Sequence, residues 1–188
     1  KKLMCGELVY TGVLRTNVAA IVQRVPLRGA MVRVSSELFA TSGDVYLVLG
    51  RIAPEDFSVE TADGRGVSRV ECLARLSRIV CADLDMLSED ELVEIAEYVY
   101  EKQLSEVCQA LHTVYERACS EAGKRLPVVV LGLGSFLAEE AAERVGVEEV
   151  VKIDELVGKG VSGIGPALGV ALMVVHKLTG ARVSWMRL

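Results

Sequence analysis

The clearest pattern in the chain is an amphipathic stretch near its middle. Residues 88–91, Ser-Glu-Asp-Glu, have the sequence of a helix capping box with extra acid in the first turn. Apolar side chains then recur at three- and four-residue steps: Leu92, Ile95, Ala96, Val99, Leu104, Val107, Cys108, Leu111 and Tyr115. This spacing predicts one long helix from Ser88 to about Ser120, with a solvated polar face.

The last third of the chain alternates between two periodicities. Residues 128–131 form a continuous apolar run, which is typical of a strand covered on both faces, and residues 150–153 predict a second short strand. Between them, residues 136–145 predict a helix ended by Gly146, and residues 166–178 predict a final helix. The order β-α-β-α predicts an α/β protein with a parallel sheet.

The first half of the chain is less regular. Residues 7–34 mix apolar runs with turn residues and predict strands joined by loops, whereas strand and helix patterns compete over residues 36–50. Residues 54–66 are polar and turn-rich, so they form a connector or a loop rimming a site. Residues 67–81 predict a helix with these positions on one face: Val70, Leu73, Ala74, Ser77 and Val80.

The composition of the chain limits the classes of function that it can have. A chain of 188 residues with 51% hydrophobic residues suits one globular domain, and it has no run long enough to cross a bilayer. A net charge of -5 argues against nucleic-acid and anionic-membrane partners. The five cysteines contain no Cys-x-x-Cys pair, which predicts reduced thiols without a zinc site. With no export signal at the start, we expect a cytoplasmic protein acting on a small-molecule substrate.

Two glycines mark a candidate binding turn. Gly132 and Gly134 lie between the predicted strand and helix, where free backbone N–H groups can meet a ligand. The dinucleotide fingerprint would need a third glycine where Leu137 stands, and the chain has no Walker loop. Binding of a sugar or base, or a tight turn with Ser135 capping the helix, both remain open.

Polar residues of the first half offer catalytic chemistry. Residues 10–16 combine hydroxyls, a glycine turn and Arg15, and an arginine can hold phosphate through two parallel hydrogen bonds. Glu37 and Asp44 flank a stretch that contains Thr41, and they could hold a divalent cation or accept a proton.

Four motifs together resemble one known family. They are residues 7–16 (ELVYTGVLRT), 36–46 (SELFATSGDVY), 63–66 (DGRG) and 74–76 (ARL). The chain resembles the hydantoinase/oxoprolinase-like family that includes the archaeal methanofuran-pathway synthase and proteins labelled as tetrahydromethanopterin-linked C1 transfer pathway proteins. The resemblance implies an actin-like ATPase fold, which sugar kinases, heat-shock chaperones and RNase H-like proteins share. The chain would contain mostly the second lobe of this fold, with a long helical segment.

The resemblance also implies a domain plan and a missing part. Residues 1–66 would be the remainder of a first lobe with an interlobe segment, and residues 67–188 the helical segment with the C-terminal RNase H-like lobe. Family members carry phosphate-binding segments before the Tyr-Thr-Gly motif, and these segments do not occur here. We therefore expect the chain to be a C-terminal half that needs an N-terminal lobe, from the same gene or a separate chain.

The activity that the resemblance implies is an alkyl transfer. A transferase would join a (aminomethyl)furanylmethyl diphosphate to the phenol of γ-glutamyltyramine in methanofuran biosynthesis. In this interpretation Arg15 binds diphosphate, and Glu37 or Asp44 is the general base or a Mg²⁺ ligand. The ligand-binding candidates are Tyr10, Thr11, Gly12, Thr16, Thr41, Gly132 and Gly134. The actin-like fold that the resemblance implies also suggests ATP or ADP as a cofactor. Two functions stand as alternatives to the transferase: a hydantoinase-like or kinase-like enzyme, and a non-catalytic lobe that binds nucleotide.

Overall fold

A computed structural model describes residues 3–157 and 164–180 of the chain. The chain divides into two compact units, Lys1–Ala110 and Leu111–Leu188, which we describe separately. Helices and two small sheets alternate along it, in agreement with the predicted α/β class. The actin-like lobes, with a boundary after residue 66, stay a prediction. None of the helices in the described ranges is both long and apolar enough to span a membrane.

The first unit begins with short elements. After a 3-10 turn at Leu3–Cys5, residues 8–10 have no regular structure, although their pattern predicted a strand. The apolar run expected to be a strand forms helix α1 at Val18–Ile21, because Asn17 caps it by accepting a hydrogen bond from Ala19 N.

An antiparallel hairpin follows, formed by strands β1 (Arg24–Leu27) and β2 (Ala30–Arg33). Arg28 and Gly29 connect them with positive φ angles of 50° and 77°, the backbone of a type I′ turn. Val25 is buried and its cross-strand partner Val32 is half-buried, whereas Arg24, Met31 and Arg33 on the other face are exposed. The hairpin therefore packs one face on the core and presents the other to solvent.

Residues Ser42–Val48 form helix α2, within the stretch where the helix and strand patterns competed. All of its residues are buried, so the helix has no polar face. A 3-10 turn at Pro54–Asp56 and an irregular segment lead from α2 to helix α3, Arg69–Arg78.

Helix α3 begins at a capping box formed by Ser68 and Glu71. Its position matches the predicted helix, but the predicted buried face is wrong in part, since Val70 is 63% exposed. The buried face instead includes Leu76 and the side chain of Arg75, because the helix turns this arginine toward an interior carboxylate.

Helix α4 runs over Glu89–Ala122, a length of 34 residues, and confirms the long helix predicted from periodicity. Ser88 and Glu91 form the expected reciprocal cap, in which Ser88 N donates to Glu91 Oε2 at 2.8 Å.

The second unit contains the predicted β-α-β-α order. Strand β3 (Val128–Val130) pairs in parallel with β4 (Val150–Lys152), and helix α5 (Ser135–Val145) connects them. Helices α6 (Ile153–Val157) and α7 (Gly165–Thr179) follow. The expectation that β3 is covered on both faces is wrong within this unit, since Val129 is 42% exposed. The sheet has two strands among the described residues, too few to bury both faces.

Candidate functional site

The first unit contains a cavity that gathers several of the predicted site residues. Its volume is about 540 Å³, within the size range of small-molecule sites. The lining brings together a guanidinium, a carboxylate, hydroxyl groups and apolar side chains: Arg15, Leu38, Thr41, Ser58, Val59, Glu60, Thr61 and Ala62. Two residues predicted from sequence, Arg15 and Thr41, therefore lie along one cavity, and part of the loop predicted to rim a site lines it.

The segment that carries Arg15 is fixed by backbone hydrogen bonds to the start of α2. Ser42 N donates to the carbonyl oxygen of Thr16 at 2.8 Å, and Gly43 N donates to that of Leu14 at 3.3 Å. The Thr16 hydroxyl accepts a hydrogen bond from Gly12 N at 2.8 Å. Because both neighbours of Arg15 are held, the arginine projects from a fixed backbone rather than from a free loop.

Gln103 of helix α4 holds the other end of the same segment. Its buried amide donates from Nε2 to the Thr11 hydroxyl at 2.6 Å and to the Gly12 carbonyl oxygen at 3.0 Å. Its Oε1 accepts a hydrogen bond from the Tyr46 hydroxyl at 2.8 Å. The sequence carried a signal for this residue, since a polar Gln stands four residues after Val99, on the apolar stripe of the helix.

Asp44 is fully buried, and both of its carboxylate oxygens are engaged. Oδ2 accepts a hydrogen bond from Thr41 N at 2.9 Å, and Oδ1 accepts one from Arg75 Nε at 2.7 Å. Because Asp44 is also fully buried, its carboxylate is not open to a substrate or a metal ion in the cavity. As placed, the carboxylate holds Thr41 at the edge of the cavity.

Arg75 is the centre of a buried ion-pair network that the sequence did not indicate. Its Nη1 donates to Asp63 Oδ1 and to the Gly66 carbonyl oxygen, both at 3.0 Å, and Arg78 donates to Asp63 Oδ2 at 2.8 Å. Burial alone would raise the pKa of Asp63, but the hydrogen bonds from Arg78, the Arg65 backbone and Arg75 outweigh it and lower that pKa. The network fixes the loop around residues 63–66 against α3.

The thiol of Cys72 lies beside the same network, with Arg75 Nη2 at 3.3 Å from its sulfur. Burial, followed by the charge of Asp44, raises the pKa of the Cys72 thiol to about 12. A thiol with so high a pKa stays protonated at neutral pH and is a poor nucleophile.

Of the residues predicted in the first unit, only Arg15 and Thr41 are among the cavity lining; Tyr10, Thr11, Gly12, Thr16, Glu37 and Asp44 are not. Tyr10 is 77% exposed, and Glu37 is exposed, although its neighbour Leu38 lines the cavity. In the described part of the chain, no three His, Cys, Asp or Glu side chains converge into a group able to hold a metal ion. The Mg²⁺ ligand therefore stays a prediction.

Gly132 and Gly134 belong to the second unit and form the turn between β3 and α5. Gly132 has a φ of 86°, which favours glycine, and its carbonyl oxygen accepts a hydrogen bond from Ser135 N at 3.0 Å. The alternative in which Ser135 caps the helix is wrong. The helix begins one residue earlier than predicted, so Gly134 occupies the N-cap without a side-chain hydrogen bond and Ser135 is the first helical residue.

Comparison with known proteins decides the family. Residues 1–173 match the family model described as hydantoinase/oxoprolinase. The chain belongs to the hydantoinase/oxoprolinase family. This membership confirms the resemblance carried by the four sequence motifs, two of which supply Arg15 and Thr41 to the cavity.

Two curated proteins resemble the chain over most of its length. Both are named (4-{4-[2-(gamma-L-glutamylamino)ethyl]phenoxymethyl}furan-2-yl)methanamine synthase. The protein from Methanocaldococcus jannaschii is 34% identical over 94% of this chain and 51% of its own length. The protein from Methanococcus vannielii is 30% identical over 95% of this chain and 79% of its own length. The chain thus spans about half the length of the first relative.

Proposed function

We propose that this chain is part of an enzyme of methanofuran biosynthesis, a transferase that joins a furanylmethyl diphosphate to the phenol of γ-glutamyltyramine. The observation that carries the proposal is the cavity in which Arg15, Thr41 and Glu60 meet. A cation and a carboxylate in one cavity suit a reaction that releases an anion and removes a proton. Family membership and the names of the two relatives support the same reaction.

The proposed reaction forms one bond and breaks another. The phenol oxygen attacks the methylene carbon of the (aminomethyl)furanylmethyl group, and the carbon–oxygen bond to diphosphate breaks. The electron pair of that bond leaves with the diphosphate, and the phenol proton passes to a base. Neither oxidation nor phosphoryl transfer is involved, so the protein must stabilise the leaving anion and accept a proton.

Arg15 is our candidate for binding the leaving diphosphate. Negative charge grows on the bridging oxygen as the bond breaks, and a guanidinium placed beside it stabilises the transition state more than the bound substrate. The Thr41 hydroxyl, which lines the same cavity, adds a neutral donor. The hydrogen bonds that hold the flanking residues Leu14 and Thr16 keep Arg15 in place before the substrate binds.

Glu60 is our first candidate for the base that accepts the phenol proton. It is the carboxylate of the cavity lining, and the sequence patterns did not single it out. Glu37, predicted from sequence, is the second candidate because Leu38 beside it lines the cavity. Asp44 is assigned a positioning role through its hydrogen bond to Thr41 N.

The remaining elements of the proposal rest on the family resemblance. An N-terminal lobe would complete the site, and Mg²⁺ would add positive charge near the diphosphate. The turn at Gly132 and Gly134 would bind the adenosine side of ATP or ADP in an actin-like second lobe. No step of the proposed ether formation depends on ATP.

The test is the rate of ether formation with the furanylmethyl diphosphate and γ-glutamyltyramine as substrates, with the N-terminal lobe of a relative supplied. We expect Arg15→Ala to lower kcat/KM about a hundredfold, with most of the loss in kcat, because the interaction strengthens as diphosphate leaves. Arg15→Lys should recover part of the rate, since it keeps the charge but loses the planar fork.

A matched control removes one arginine elsewhere in the same unit. Arg28 pairs with Glu91 at 2.6 Å and does not line the cavity, so Arg28→Asn should leave the rate unchanged. An unchanged rate in Arg15→Ala would refute the assignment of Arg15. A transfer rate in Glu60→Gln equal to that of the unaltered chain would refute Glu60 as the base and leave Glu37→Gln as the next variant.

A further inference from the structure

We propose that a second cavity of the first unit binds a phosphate or diphosphate group between Arg24 and Arg33. This cavity has a volume of about 340 Å³ and lies beside the β1–β2 hairpin. Its lining residues are Ala19, Val22, Gln23, Arg24, Arg33, Val34 and Ser36. None of them lines the cavity of Arg15, so the two sites are separate.

The hairpin register places the two arginines side by side. Arg24 is the direct cross-strand partner of Arg33. The neighbouring pair, farther from the turn, is Gln23 and Val34, and Val34 N donates a hydrogen bond to the Gln23 carbonyl oxygen at 3.0 Å. Pairs alternate along an antiparallel ladder, so Arg24 and Arg33 form a non-hydrogen-bonded pair, in which the Cα atoms are only about 4.5 Å apart. Both side chains emerge on the exposed face of the hairpin, opposite buried Val25.

Like charges directly opposite each other on a sheet are unfavourable unless something neutralises them. Arg24 Nη1 donates to the Met31 carbonyl oxygen at 3.0 Å, and in the described part of the chain neither Arg24 nor Arg33 has a carboxylate partner. Arg28, at the tip of the same hairpin, does pair with Glu91. The positive charges of Arg24 and Arg33 are therefore not neutralised by a carboxylate of the described chain, and an external anion could neutralise them.

The other lining residues favour an oxyanion. Gln23 contributes an amide and Ser36 a hydroxyl, and the lining contains no acidic residue although the chain as a whole carries a net charge of -5. Two guanidinium groups match an anion with several negative oxygens, because each fork can take two of them. A phosphate or diphosphate group meets this requirement better than a single carboxylate.

The test is isothermal titration of the 188-residue chain with inorganic diphosphate, carried out in the Arg15→Ala background so that the Arg15 site does not contribute. We expect saturable binding there, weakened at least about tenfold by Arg24→Glu. The introduced carboxylate would pair with Arg33 across the ladder, so the melting temperature without ligand should stay level or rise. Loss of binding at unchanged or higher stability separates the loss of a site from the loss of the fold.

The control is Arg28→Asn, which removes one positive charge from the same hairpin and leaves Asn-Gly, a sequence well suited to a type I′ turn. It should bind diphosphate as the Arg15→Ala background does. The proposal is overturned if diphosphate does not bind, if Arg24→Glu binds it as tightly as the background, or if succinate binds as tightly as diphosphate. Because Arg15 is absent throughout, these outcomes do not bear on the proposed ether formation.

Discussion

Gln103 Nε2 donates a hydrogen bond of 2.6 Å to the Thr11 hydroxyl and so joins residues 92 positions apart. The same amide holds the Gly12 carbonyl oxygen, and its oxygen accepts from Tyr46. One buried side chain of α4 therefore connects the segment before Arg15 to helix α2. The position of Arg15, the proposed diphosphate-binding residue, depends on this connection.

Replacing Gln103 should destabilise the first unit and weaken the site. Gln103→Leu leaves the buried Tyr46 hydroxyl without its acceptor and Thr11 and Gly12 without their donor, at a cost of about 1–3 kcal/mol in the free energy of unfolding. Urea denaturation measures this change. Exposed Glu106 on the same helix supplies the control, and Glu106→Gln should shift stability by less than about 0.5 kcal/mol. Equal effects of the two variants would contradict the assigned role of Gln103.

Gly43 should not tolerate a side chain. A Cβ atom there would lie 2.6 Å from Phe57 Cε2 and 3.1 Å from the Leu14 carbonyl oxygen, so the Phe57 ring would have to move away and the Arg15 segment would have to shift slightly. We expect Gly43→Ala to cost about 1–3 kcal/mol in unfolding free energy, as overpacking does. Gly12→Ala is the comparison, because nothing lies within 4 Å of its Cβ position and its φ is not positive. A Gly43→Ala variant as stable as Gly12→Ala would show that the packing is looser than described.

The Asp44–Arg75 pair should be costly to break and cheaper to remove whole. Both side chains are fully buried, so Arg75→Met leaves the Asp44 carboxylate without a countercharge, with an expected loss of about 3–5 kcal/mol. Asp44→Leu should cost less, because Arg75 keeps Asp63 as a partner at 3.0 Å. The double variant should lose clearly less than the sum, because no unpaired member of this pair remains. The double-mutant cycle in urea measures this coupling. Strict additivity of the two losses would mean that the pair does not interact in solution.

Glu91 should titrate far below its ordinary range. The hydrogen bond from Arg28, with further hydrogen bonds from Ser88, lowers the pKa of Glu91 from 4.5 to about 2. The folded-state pKa is depressed, so the stabilisation is present above pH 4.5 and is lost as pH falls toward 2. Carboxyl NMR titration reports this pKa directly, and Arg28→Asn should move it up toward 4.5. A midpoint near 4.5 in the unaltered chain would contradict the ion pair.

The sequence predicted elements where periodicity shows a boundary between core and solvent. Helix α4 has an apolar stripe and a charged face, and its cap was predicted because Ser88 and Glu91 are three residues apart. Helix α2 remained ambiguous for the opposite reason. All of its residues are buried, so no polar face distinguishes a period of 3.6 from a strand.

The sequence predicted only the part of the site that lies within local motifs. Arg15 and Thr41 stand in motifs of local character, and both line the cavity. Pairs distant in sequence depend on how elements pack: the polar position of Gln103 on the apolar stripe of α4 does not indicate its partner Thr11, and the pairing of Arg75 with Asp44 leaves no local pattern. Glu60 lies in an irregular loop whose composition predicts a rim but does not indicate which of its residues lines the cavity.

The proposed transfer releases two products, and one assay can measure both. The chain, supplied with the N-terminal lobe of a relative, the furanylmethyl diphosphate and γ-glutamyltyramine, should yield ether and inorganic diphosphate in equal amounts without ATP. Mass spectrometry follows the ether, and a coupled diphosphate assay follows the leaving group. Ether formation that requires ATP, or consumption of ATP to ADP without ether, would contradict the proposed transfer and favour a hydantoinase-like or kinase-like enzyme.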